Sequence, residues 1–386
     1  MTTAKYFSSA QSILPALSGQ AGALKAILKA CLVDGAGSQT VTINVASGVA
    51  TVTFPTAHGM LQWQSVSVAG ATPTALNGEA TVLSTPSSTT LTYATTAANG
   101  SATGTITAKL ASAGWQELFT GTNLTALKPT ATDATGGVLR VDDTGTTTAR
   151  VVGYGSMSDI NTGVGPFPLT SQISGGGYWS KSGTSDSTVR PWFLVADSMG
   201  FYLAVSPQGT DRYTLYWFGD VASLKSGDVW RCMLSCDVTS SVSATAVPEG
   251  CAGYGGRTAR AGAYIMRASS GIGASASVQR IGQGQNGSSA DAYSGTSGYS
   301  IVGSGPNPAN GGLLLTPLEL IVTGSRGALP GLYHVRSDWD NTFASGTIVD
   351  GTDDMSGHKL LALRVAPPSG SVVAGTVFMD ISSWSR

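Results

Sequence analysis

Two-residue alternation of apolar with Thr or Ser positions sets in at residue 41. It recurs in VTINV, GVATVTF, SVSVAG, GEATVLS, TTLTYAT and TGTITAKL, with turns such as HGM and LNG between the runs. Successive side chains of a strand point to opposite faces of a sheet, so this period is that of half-buried β-strands. Six such strands predict a small sandwich or barrel over residues 38–112.

Beyond residue 113 the strand signal continues. VLRVD, ARVVGY, VRPWFLVAD, GFYLAVS, RYTLYWFGD and VWRCMLSCD occupy residues 113–237 and gather most of the aromatic residues. Phe193, Phe201, Tyr202, Tyr213, Tyr216, Trp217, Phe218 and Trp230 are read there as alternating with polar neighbours on antiparallel strands of a sandwich or closed barrel. Residues 238–386 carry Gly- and Ser-rich tracts, read as long surface loops on a continuing β-region. Strand-like pieces recur in GAYIMRAS, HKLLALRVAP and GTVFMDISSW. The expected fold class is all-β and antiparallel.

One stretch reads as helix. In residues 12–32, Leu24, Ile27, Leu28, Cys31 and Leu32 share one face at three- and four-residue spacing. Residues 1–37 are therefore expected to form an N-terminal helical attachment segment. Its apolar face docks on the chain's own β-core or on a neighbouring subunit.

Composition narrows the function classes. Charged residues make up 11%, and 21 Lys plus Arg balance 22 Asp plus Glu to a net charge of -1, which provides no field for nucleic acid or an anionic membrane. Low charge favours association over repulsion and suits a subunit of a symmetric assembly. No apolar run nears the roughly 20 residues that span a bilayer, and the first residues lack a leader pattern, so synthesis in a host cytoplasm is expected.

Candidate chemistry is sparse. Asp143-Thr144-Gly145 matches the tripeptide of aspartic proteases, but Asp350-Gly351-Thr352-Asp353 has the wrong order for the second carboxylate, and DDTG reads as a hairpin connection. His58, His334 and His358 lie at no metal-ligand spacing, and His58 belongs to a turn. Cys31, Cys232, Cys236 and Cys251 lack a CxxC pair. Cys232 and Cys236, four apart on a strand, face one side and read as buried thiols. No GxSxG elbow or GxxxxGK[ST] phosphate loop occurs. Acidic turns at Asp142-Asp143 and Asp350 to Asp354 offer oxygen atoms to Ca²⁺, though solvated turns look the same. Tyr178 and Trp179, after Gly175 and Gly176, and the loop around Tyr293 and Tyr299 could stack on sugar rings, but aromatics in a β-domain mostly fill cores and interfaces. No catalytic, cofactor-binding or metal-binding residue is assigned, no cofactor is expected, and the chain is not read as an enzyme.

The order of pieces in residues 38–112, with PTAHGM at 55–60, Leu76-Asn77-Gly78 and STTLTY at 88–93, resembles a small Ig-like module found in bacteriophage structural proteins. KACLVDGAG before it and SAGWQELFTGTN after it read as one interrupted sequence, so the module is expected to be an insertion. LRVDDTGTTTARVVGYGSMSDINTGVGPFP (139–168), RPWFLVAD (190–197), YWFGDVASLKSGD (216–228) and RGALPGLY (326–333) resemble a family of tailed-phage structural proteins. The resemblance implies a virion subunit, most readily in the tail or baseplate. Its partners would be copies of itself and other virion proteins. Capsid decoration, or binding of a host surface glycan, are the alternatives.

Overall fold

The computed structural model describes residues 1–240, 262–281, 313, 315–335, 342–365 and 375–386. The chain is mostly β, 49% strand and 6% helix, with antiparallel sheets that include a half-barrel and one short N-terminal helix.

The body stacks three sheets. A five-stranded meander comprises Trp115–Thr120, Leu124–Pro129, Val138–Asp142, Thr148–Tyr154 and Gly177–Ser180. Its Leu127, Leu139, Val141, Val151 and Trp179 pack against Leu194, Phe201, Leu203, Tyr216, Phe218 and Leu234 of a central sheet. That sheet runs, in spatial order, Lys5–Ser8, Trp192–Ala196, Gly200–Val205, Thr214–Asp220, Cys232–Ser235, Ala263–Ile265 and Ala276–Ser277. Its opposite face, with Val195, Tyr202, Leu215, Trp217, Met233 and Ile265, packs on Leu318, Leu320, Leu332, Leu361, Leu363 and Met379 of a third sheet.

Covered on both faces, the central strands are buried at every residue of WFLVA, GFYLAV and TLYWFGD. This corrects the expected alternation of aromatic and polar positions: a doubly covered strand reads as a continuous apolar run. The sheet also includes strands from both sides of residue 237, so the boundary expected there falls inside one layer.

Close approach of the first two sheets rests on two glycines. A Cβ on Gly177 would lie 2.1 Å from Cys236 Sγ, and one on Gly137 would lie 2.6 Å from Cys232 Sγ. Both cysteines join the same core cluster, as their spacing predicts, and like Cys31 they are buried. Burial pushes the thiols of Cys31 and Cys232 well above their usual range. Cys251 lies outside the described residues.

Residues 36–110 form an eight-stranded antiparallel module, where the alternation predicts six strands. The burial of TINVA and VATVT alternates residue by residue. The ten-residue strand Gly78–Ser87 joins the two halves, pairing with Ser65–Ala69 and then with Thr90–Ala94. The first and last strands, Ala36–Thr40 and Thr107–Leu110, pair with each other, so the chain enters and leaves at adjacent points. At this root Ala113 N–H donates to Cys31 O at 2.9 Å. The module core, including Ile43, Val52, Val66 and Leu91, is continuous with that of the body.

The helix is shorter than the periodicity predicts. It spans Ala23–Leu28 and continues as a π-helical segment, Lys29–Asp34, with Leu24, Ile27, Leu28, Cys31 and Leu32 fully buried. Pro15 and the left-handed Gly22, at φ 83°, keep the preceding residues out of the helix. Residues 1–37, expected to serve attachment, are built into the body. Thr2–Thr3 pairs with Ser383–Trp384, and Lys5–Ser8 is an edge strand of the central sheet.

Candidate functional site: the junction of module and body

The structure resolves the roles of several residues singled out by sequence. Asp143 lies in the hairpin connection between Val138–Asp142 and Thr148–Tyr154, as expected, yet it is fully buried against Lys181. His58 Nδ1 accepts Met60 N–H at 3.0 Å, so Nε2 carries the proton and donates to Ser87 O at 3.2 Å. That histidine pins a turn. His334 is buried, and burial lowers its pKa to about 4. His358 Nδ1 lies 2.6 Å from Asp380 Oδ2, whose carboxyl burial holds above the usual range.

The acidic turns do not converge. Asp143 turns to Lys181, whereas Asp142 accepts Thr144 N–H at 3.2 Å and Asp350 pairs with Lys359. Among the described residues no group of three or more His, Cys, Asp or Glu could hold a metal ion. No helix among them is long and apolar enough to cross a membrane.

Trp179 is fully buried and donates its indole N–H to Ser235 O at 2.7 Å, so it cannot stack on a sugar. Tyr178 carries the Arg150 guanidinium over its ring at 3.8 Å. Tyr293 and Tyr299 lie outside the described residues.

The most developed polar constellation lies where the module meets the body. Gln11, from the N-terminal segment, and Gln64, from the module, exchange amide hydrogen bonds at 2.9 and 2.8 Å. Gln11 Nε2 also donates to Gly59 O and its Oε1 accepts Ser8 N–H, while Gln64 Nε2 donates to Tyr6 O and its Oε1 accepts Leu61 N–H. Each amide thus uses both donors and both acceptor sites in a buried position, a fully satisfied network that specifies one orientation.

Three further contacts fix the module. Tyr6 donates its hydroxyl to Gln62 O at 2.5 Å, and burial raises its pKa. Lys5 pairs with Glu79 at 2.7 Å. Trp63, held at φ 68°, packs against the core between the central and third sheets and lies under Lys359 Nζ at 4.3 Å. A non-glycine residue at positive φ is uncommon and marks a constrained position.

Between residues 38 and 112 the only Asp, Glu, Lys or Arg residues are Glu79 and Lys109. Glu79 meets Lys5, and Lys109 donates to Asp34 O at 2.7 Å. Both charges are thus directed to residues outside the module, and its outer surface is neutral and rich in hydroxyl groups. Sequence reading missed this junction because Gln11, Gln64 and Trp63 belong to no motif. The spacing of charges along 38–112 was the available signal.

No protein-family model matches the chain, and no curated protein sequence matches it either.

Proposed function

We propose that this chain is a structural subunit of a tailed-bacteriophage particle, placed in the tail or baseplate, and that its role is non-catalytic. Its residues resemble those of tailed-phage structural proteins, and one structural observation supports the reading. The inserted module is locked to the body by a saturated buried amide pair and presents a neutral, Thr- and Ser-rich surface outward.

A rigid projection suits assembly by surface complementarity, since no ordering entropy is lost when a neighbour docks. The neutral surface means that contacts made by the module depend little on ionic strength. Copies of the chain and other virion proteins are the proposed partners.

Immunogold labelling of purified particles with an antibody raised against residues 38–112 tests the placement. Label at the tail end supports it. Label over the head shell would replace it with capsid decoration, and absence of label from particles that contain the chain would mean that the module faces inward.

A further inference from the structure

Asp143 and Lys181 are both fully buried, and the Lys181 ammonium contacts Asp143 Oδ1. They follow the strands Val138–Asp142 and Gly177–Ser180, which flank Thr148–Tyr154 in the five-stranded sheet. Asp143 Oδ2 accepts the Lys25 N–H at 2.9 Å, and Lys181 Nζ also donates to Gln20 O at 2.9 Å. Every atom that an amide would retain therefore already has the partner it would need. The oxygen that an amide would lose is the one that lies on the amine.

We propose that Lys181 Nζ and Asp143 Cγ condense to an isopeptide bond, a covalent staple across the five-stranded sheet beside the N-terminal segment. Burial raises the Asp143 carboxyl above its usual range, and the first step is transfer of one Nζ proton to Asp143 Oδ1. The Nζ lone pair then attacks Cγ, and charge developing on Oδ2 meets the Lys25 N–H. A second Nζ proton passes to Oδ1, the Cγ–Oδ1 bond breaks and water leaves, with no other reactant consumed. Asp142, the adjacent carboxylate, is turned to Thr144 N–H, so proton transfer is confined to the pair. The product keeps one N–H for Gln20 O and its carbonyl for Lys25 N–H.

Mass spectrometry of the full chain under denaturing conditions tests this. The protein should weigh one water less than its sequence, and trypsin should release a joined peptide that carries residues 141–150 and 151–212. Lys181→Gln should restore the sequence mass. A wild-type chain at its sequence mass, with residues 141–150 recovered as a separate peptide, would overturn the proposal. So would a water loss that persists in Lys181→Gln, because the dehydration would then lie elsewhere.

Discussion

Gln11 and Gln64 form a closed amide pair across the junction, 2.9 Å in one direction and 2.8 Å in the other, so that residues from the N-terminal segment and the module share one buried network. The N-terminal segment thereby acts as the seat on which the module rests, while its neighbour Lys5–Ser8 extends the central sheet.

Truncating one member of the pair strands the other. Gln64→Ala should cost about 1–3 kcal/mol, the usual penalty for an unsatisfied buried polar group, and Gln11→Ala a similar amount. The double variant should lose less than the sum, since the second truncation removes a group already orphaned. Urea midpoints of the four proteins measure the coupling, and strictly additive losses would show that the amides act separately.

Because the module enters and leaves at paired strands, a chain lacking residues 38–112, with Gly37 joined to Ala113, should keep a folded body. Its melting temperature should fall, since Tyr6, Gln11 and Lys5 lose their partners. Near-ultraviolet circular dichroism during a thermal melt reads both. Loss of the cooperative transition would mean that the module is an integral part of the body.

The three described thiols are sealed. Cys31, Cys232 and Cys236 are buried, two of the chain's four cysteines lying under Gly137 and Gly177. A thiol-specific chromogenic reagent should therefore find at most one fast-reacting group in the native protein and all four after denaturation. Two or more fast groups without denaturant would contradict the packing of the first sheet on the second.

Acid should weaken the third sheet through His334. Its folded-state pKa is depressed to about 4 from 6.5, so the unfolded chain binds the extra proton between those values, and stability falls as pH drops through that window. The loss should approach about 3 kcal/mol at the acid end. Burial raises the carboxyls of Asp220 and Asp380, which oppose this trend, so the contribution is read as the difference between wild type and His334→Gln. Identical pH profiles would rule it out.

The module was legible in the sequence because one face of each strand is buried and the other is wet, as in Thr42–Ala46 and Val49–Thr53. The central sheet was harder to read. GFYLAV and TLYWFGD carry the continuous apolar signature of strands covered on both sides, yet period-2 reasoning assigns them an outer face. The five apolar helix positions were found correctly, but the helix start was not, because periodicity outlasts the point at which Pro15 and Gly22 stop the backbone. Asp143 was correctly placed in a connection, while its burial against Lys181 depends on a residue 38 positions away. Pairings of that separation leave no local trace.

A cryo-electron microscopy map of the intact particle, at a resolution that traces side chains, would locate the chain and the seat of its module. The body and the 36–110 module should fit tail or baseplate density as one rigid unit, with Gln11 and Gln64 in contact and symmetry-related copies meeting through exposed surfaces. Absence of the chain from mature particles would contradict this placement.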